Sequence, residues 1–217
     1  MKKVLLEIFD RLKKSFSNQD WWPGNTKDEI IIGAILTQNT NWKNVEKSIE
    51  NLRDNNLLSL KKIKDLNIIR LEELIRPSGF YKVKALYLKE VAKNLHPSKI
   101  KESNLKDARK ELLLMKGIGK ETADSILLYA FEKPIFVVDA YTKRIFSRIG
   151  FIDKSDKYDN VQDFFMDNLP SNTKLFNEYH ALIVILAKNF CSKKNPLCDD
   201  CPIGDLCKNS QISKVVK

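Results

Sequence analysis

The sequence predicts an all-α protein, on three observations. Apolar residues recur at helical spacing along most of the 217-residue chain. The breaks between these stretches are short and rich in Pro, Gly, Asn and Ser. The one run of strand-like composition, residues 135–138, has no partner strand nearby and reads as a buried connector.

Taken in order, Val4, Leu5, Ile8, Phe9 and Leu12 form the apolar stripe of a first amphipathic helix. Residues 20–24, Asp-Trp-Trp-Pro-Gly, end it as a turn. Residues 28–38 are apolar on nearly every face, which predicts a central, buried helix. Val45, Ile49 and Leu52 mark the next helix, and shorter helical segments follow around 60–66 and 70–76. Pro77-Ser78-Gly79 is another break. A helix over 81–95 has Ala85, Val91, Ala92 and Leu95 as inner positions, and Ser103 is positioned to cap a helix ending near Met115. Val161, Phe164, Phe165 and Leu169 mark a further helix, and residues 179–190 the last. There is no repeat period, and no shift in composition marks a domain boundary.

Lys and Arg number 38 against 28 Asp and Glu, a formal net charge of +10. That excess points to a polyanionic partner, above all nucleic acid. A lysine-rich composition of thermal origin would raise Glu alongside Lys, and here the acids do not keep pace. No apolar run approaches the roughly 20 residues of a membrane span. The N-terminal segment carries charges among its apolar positions, unlike a signal peptide, so the chain is expected to be cytoplasmic with reduced cysteines.

Four features carry chemistry. Lys116-Gly117-Ile118-Gly119-Lys120 sets a Gly-x-Gly turn between two helical patterns. Glycines allow close backbone approach, and the amides opening the next helix favour an anion such as phosphate. A plain interhelical turn has the same pattern. Asp139 follows the apolar connector and precedes a helix, where it serves at least as an N-cap. Cys191, Cys198, Cys201 and Cys207 have the spacing C-x6-C-x2-C-x5-C, a compact soft-ligand set that suits zinc or an iron–sulfur cluster. Gln38 lies in the turn after the buried helix, and Trp21, Trp22 and Trp42 flank that helix. By default the tryptophans are core and the glutamine a turn amide. His96 and His180 have no ligand-like spacing, and His180, in an apolar helix, reads as a packed residue.

Together these motifs resemble the endonuclease III superfamily of helix-hairpin-helix DNA glycosylases, along essentially the whole chain. The hairpin, the Glu132-Lys133-Pro134 connector and Asp139 follow the family's order. The resemblance implies two helical domains flanking a DNA cleft, with Asp139 at their junction. One would be a six-helix barrel-type domain over 21–133, carrying Gln38 and the hairpin. The other would join 1–20 to 134–217 and carry a single [4Fe–4S] cluster on the four cysteines, in preference to zinc. Gln38 would fill the space left by a flipped base. Lys116, Gly117, Gly119 and Lys120 would hold the DNA backbone, as would Gly79 in a segment where Tyr81 and Lys84 also match. Asp139 would be the catalytic carboxylate. Bifunctional members carry a lysine nucleophile two residues after the second hairpin glycine, and this chain has Glu121 there. Lys120, one residue earlier, is offset by about 100° of helix. The resemblance therefore implies a monofunctional enzyme using water as nucleophile, acting as a monomer on double-stranded DNA with a damaged base. Trp21-Trp22-Pro23 and the loop ending in Trp42 resemble the 3-methyladenine branch more than the oxidised-pyrimidine branch, and an aromatic pocket suits a cationic purine. Alternatives are a mismatch uracil or thymine glycosylase, an endonuclease III-like glycosylase/lyase, and a cluster-bearing DNA-binding protein without catalysis.

Overall fold

A computed structural model describes residues 1–17 and 24–210. Their regular structure is entirely helical. The helices are α1 (Lys2–Phe16), α2 (Lys27–Leu36), α3 (Trp42–Asp54), α4 (Leu60–Asp65), α5 (Ile68–Ile75), α6 (Tyr81–Asn94), α7 (Pro97–Glu102), α8 (Leu105–Leu113), α9 (Lys120–Ser125), α10 (Ala140–Ile149), α11 (Tyr158–Asn168) and α12 (Thr173–Asn189). A short 3-10 turn, Arg76–Ser78, follows α5, and α9 widens into a π-helical turn, Ile126–Ala130. The chain forms two compact units, one from Pro23–Lys133 and one from Met1–Trp22 with Pro134–Lys217.

In the Pro23–Lys133 unit, α2 is the central helix. Its residues Ile31 to Leu36 are all buried, as expected of a run with no polar face. Its start is fixed by Thr26, whose side chain accepts from the Glu29 amide at 3.1 Å. Glu29 is itself buried, accepts from the Asn25 amide and pairs with Arg53 at 2.6 Å. Asp28 reaches further along the chain and accepts from the Leu60 amide that opens α4. Two boundaries differ from the sequence expectation. Pro97 starts a separate short helix, α7, and Ser103 closes it by donating to the Lys99 carbonyl. The cap of α8 is Asn104, which accepts from the Asp107 amide at 2.9 Å. Ser and Asn both cap helices, so adjacent candidates were separable only by the turn that Pro97 imposes.

In the other unit, α12 is buried on most faces and packs against α1 and α10. Aromatic rings fill the space between these helices. Phe136 of the connector stacks on Phe165 with centroids 4.0 Å apart, and Phe146 meets Phe165 edge-on at 4.6 Å. Tyr179, fully buried, donates its hydroxyl to the Leu5 carbonyl and so ties α12 to α1. Residues 135–138 are buried and belong to no helix or strand, as expected of the connector. Gln162 of α11 secures them by donating to the Phe136 carbonyl at 2.6 Å.

Basic side chains repeatedly satisfy carbonyls left open where helices end. Lys143 donates to the Asp156 carbonyl in the loop before α11, away from any helix C-terminus, while Lys89 donates to Lys64 and Leu66 after α4 and Lys133 to Lys101 and Ser103 after α7. Arg144 does the same for Ala187 and Cys191 at the end of α12.

Candidate functional site

The hairpin joins α8 to α9. Gly117 has φ +88°, where a side chain is strained, and a Cβ there would lie 2.2 Å from the Tyr87 ring of α6. Glycine is thus required twice over at this position. Gly119 differs. It is the N-cap of α9 with φ −86°, and a Cβ would meet nothing within 4 Å. The turn needs left-handed backbone at one glycine, and the other leaves the helix start uncovered. Lys116, Lys120 and Glu121 are exposed around it. The two arms are clamped by Arg109 of α8, whose Nε and Nη2 donate to the fully buried Asp124 of α9 at 2.7 and 3.1 Å.

Gln38 reaches this hairpin. Its Nε2 donates to the Gly117 carbonyl at 2.9 Å and to Thr122 Oγ1 at 3.1 Å. The amide therefore ties the turn after α2 to the hairpin. Trp42 is partly exposed at the start of α3, with Nε1 donating to Glu46 at 2.8 Å. Trp21 and Trp22 lie outside the described residues.

In the other unit, Asp139 is the N-cap of α10. Its Oδ1 accepts from the Thr142 amide at 2.7 Å and the Thr142 hydroxyl at 2.9 Å. Its Oδ2 lies 3.5 Å from Nε2 of His180, a buried residue of α12. Burial pushes the Asp139 carboxyl upward, but His180 and the two Thr142 donors outweigh it and hold the group below the usual carboxylate value. Asp139 is thus an anion with one oxygen fixed by the helix start and the other turned to a histidine. Sequence spacing marked His180 only as a packed residue. It is packed, and it also faces Asp139.

The cysteine loop follows α12. The four thiols are partly buried and unpaired by disulfides. Burial raises the Cys201 thiol to about 11, and the other three cysteines push it in the same direction. Cys198 is likewise raised by burial and by Cys207 and Cys191. The Arg148 carbonyl of α10 accepts from Cys207 Sγ at 3.4 Å. Arg148 of α10 donates to Cys191 Sγ at 3.1 Å and to the Ser192 and Lys193 carbonyls. Arg11 of α1 holds the far side through both oxygens of Asp205 at 2.7 and 2.8 Å. Gly204 leaves no room for a side chain, since a Cβ would lie 2.9 Å from the Cys198 carbonyl oxygen. Among the described residues, no group of three or more His, Cys, Asp or Glu is arranged as a site for one metal ion. The donor chemistry, four soft thiols in an ordered loop, fits a cluster.

The HhH-GPD superfamily of base excision DNA repair proteins matches residues 32–171, the stretch that carries Gln38, the hairpin and Asp139. The chain belongs to this superfamily. It is a base-excision DNA glycosylase that acts on DNA. A Methanocaldococcus jannaschii relative, named "Putative DNA repair glycosylase MJ1434", is 49% identical over 94% of this chain and 96% of its own length. Endonuclease III of Sulfolobus acidocaldarius is 31% identical over 82% and 80%. Among solved structures, H. pylori 3-methyladenine DNA glycosylase (MagIII) bound to 1,N6-ethenoadenine superposes with a TM-score of 0.75 at 34% identity, covering 85% of this chain and 97% of that one. A non-covalent Endonuclease III–DNA complex gives a TM-score of 0.84 at 23% identity over 100% and 99%, which shows the shared fold.

Two further features of this HhH-GPD chain escape a reading of the sequence alone. Phe80 follows Gly79 with φ 47° and is 69% exposed, an unusual backbone and an unusual exposure for a large apolar residue. Gly79 itself has φ +67° with open space around it, so it serves the turn. Lys84, matched in sequence only by position, is buried.

Proposed function

We propose that this glycosylase is monofunctional, releases alkylated purines of the 3-methyladenine type from duplex DNA, and carries one [4Fe–4S] cluster on Cys191, Cys198, Cys201 and Cys207. The observation that carries the hydrolytic reading is the carboxylate of Asp139, kept ionised by Thr142 and His180. As the bond from C1′ to the base breaks, its electrons leave with the base and the sugar gains positive charge. A fixed anion stabilises that charge and orients the water that adds to C1′. The proton of that water passes to the carboxylate or solvent. An N-methylated adenine is already cationic and departs as a neutral base, so it does not require a strong acid to protonate it. Aromatic faces at Trp21, Trp22 and Trp42 suit such a cation. The 34%-identical 3-methyladenine glycosylase with its bound adduct supports this substrate class.

Glu121 supports hydrolysis over strand cleavage, because a carboxylate cannot form a Schiff base with the sugar. Lys116, Gly117, Gly119 and Lys120 would grip the backbone at the hairpin. Gln38 would exchange its bonds to Gly117 and Thr122 for bonds in the duplex, and Phe80 would stack on an exposed base face. The cluster, when bound, supplies cross-linking that orders the loop from 191 to 207. Arg11, Arg144 and Arg148 hold that loop from the protein side.

The deciding experiment incubates duplexes carrying 3-methyladenine, hypoxanthine, uracil, a thymine mismatch or an oxidised pyrimidine, and scores base release before and after alkali. Asp139→Asn is expected to lower release of the preferred base by about 10²-fold or more while duplex affinity is kept. Borohydride trapping is expected to give no covalent product. Strong trapping would replace hydrolysis with the lyase reading suggested by the Endonuclease III relatives.

A further inference from the structure

Lys84 is buried to 2% exposure, yet nothing in the proposed chemistry uses it. Its Nζ donates at 2.7 Å to the Leu36 carbonyl and at 2.7 Å to the Ser78 carbonyl. Leu36 is the last residue of α2, and Ser78 the last of the 3-10 turn. Both carbonyls lack a partner in their own helix, and a cation at a helix C-terminus is favoured there. The two sites share a further feature. Leu36 stands two residues before Gln38, and Ser78 two residues before Phe80.

We infer that Lys84 is a positioning residue that holds the Gln38 turn and the Phe80 turn at one spacing, so that both side chains meet a duplex together. This rests on the DNA-glycosylase reading above. A buried ammonium is a costly strut, and burial pushes it down to about 8. An apolar residue would fill the same volume at lower cost but could not bond two carbonyls from separate segments. The neighbouring turn of α6 adds to the same construction. Tyr87 underlies Gly117, whose carbonyl accepts from Gln38. One face of α6 therefore references the Gln38 turn, the Phe80 turn and the hairpin.

The test uses the full cluster-loaded protein and a duplex containing 2-aminopurine, whose fluorescence rises when the base is unstacked. It requires no base release, so it is separate from the outcome at Asp139. In wild-type protein, Gln38→Ala and Phe80→Ala should each cut the fluorescence rise about tenfold, the scale of one lost stacking or filling contact. Lys84→Met should cut it by a similar factor with anisotropy-measured duplex affinity and circular dichroism preserved. In the Lys84→Met background, adding either alanine should change the signal less than about twofold, because the pair no longer acts as a unit. A merely structural lysine would give effects that multiply. A wild-type signal in Lys84→Met, or multiplying effects, overturns the inference. If Lys84→Met melts below the assay temperature, Lys84→Gln, which keeps a donor of shorter reach, is put through the same comparison.

Discussion

At the residue scale, Asp139 and His180 face each other, though the two rest on sequence signals of very different strength. Asp139 was legible because an acid after an apolar run and before a helix is a cap by local chemistry alone. His180 was not, because its role comes from α12 packing on α10, which no local spacing encodes. Lys84 escaped for the same reason, since a lysine in an amphipathic helix reads as surface. The sign of the Asp139 shift has a testable result. A carboxyl held below its ordinary value of about 3.9 adds stability above that pH and loses it as pH falls through the lowered value. Base release should therefore persist down to about pH 4 before its acid limb begins. In His180→Phe, burial is opposed by Thr142 alone, and the limb should move to higher pH in single-turnover profiles. His180→Gln, which keeps a donor, should move it back. An unmoved limb in His180→Phe would mean that His180 only packs.

At the element scale, the hairpin is the best-determined piece of the chain. Its glycine pattern and flanking lysines were visible, but its two glycines turned out to do different work. Gly117→Ala forces a Cβ onto the Tyr87 ring at positive φ and should destabilise by about 1–3 kcal/mol. Gly119→Ala meets no atom and has ordinary φ, so it loses only the N-cap preference of glycine over alanine and should cost about 0.5–1 kcal/mol, less than Gly117→Ala. Comparing the two melting curves separates backbone requirement from open space. Arg109→Ala leaves Asp124 as a buried charge without its guanidinium. It should cost about 3–5 kcal/mol, readable as a shift in urea midpoint at constant slope. The contacts of Gln38 lay beyond sequence reasoning because its partners stand 79 and 84 residues away. The all-apolar run of α2, by contrast, declared its burial directly.

At the scale of the whole molecule, α1 packs in the unit built from the C-terminal part of the chain, and Arg11 joins it to the cysteine loop. If the proposed [4Fe–4S] cluster is bound, removing it by oxidation with chelation should bleach visible absorbance and lower the melting temperature. The formal charge of +10 is where sequence and structure speak most differently. Lys84, Lys89, Lys133, Lys143 and Arg144 bind the protein's own carbonyls, so part of its basic character stabilises the fold. Counterion release on binding DNA is then set by the remaining cations. In a plot of log affinity against log salt concentration, Lys116→Gln should reduce the slope by about 0.9 if it covers one phosphate. Lys133→Gln should lower the melting temperature and leave that slope unchanged. Net charge thus overstates how strongly salt will loosen this protein from DNA, and the excess is the share of positive charge already bonded to the protein's own carbonyls.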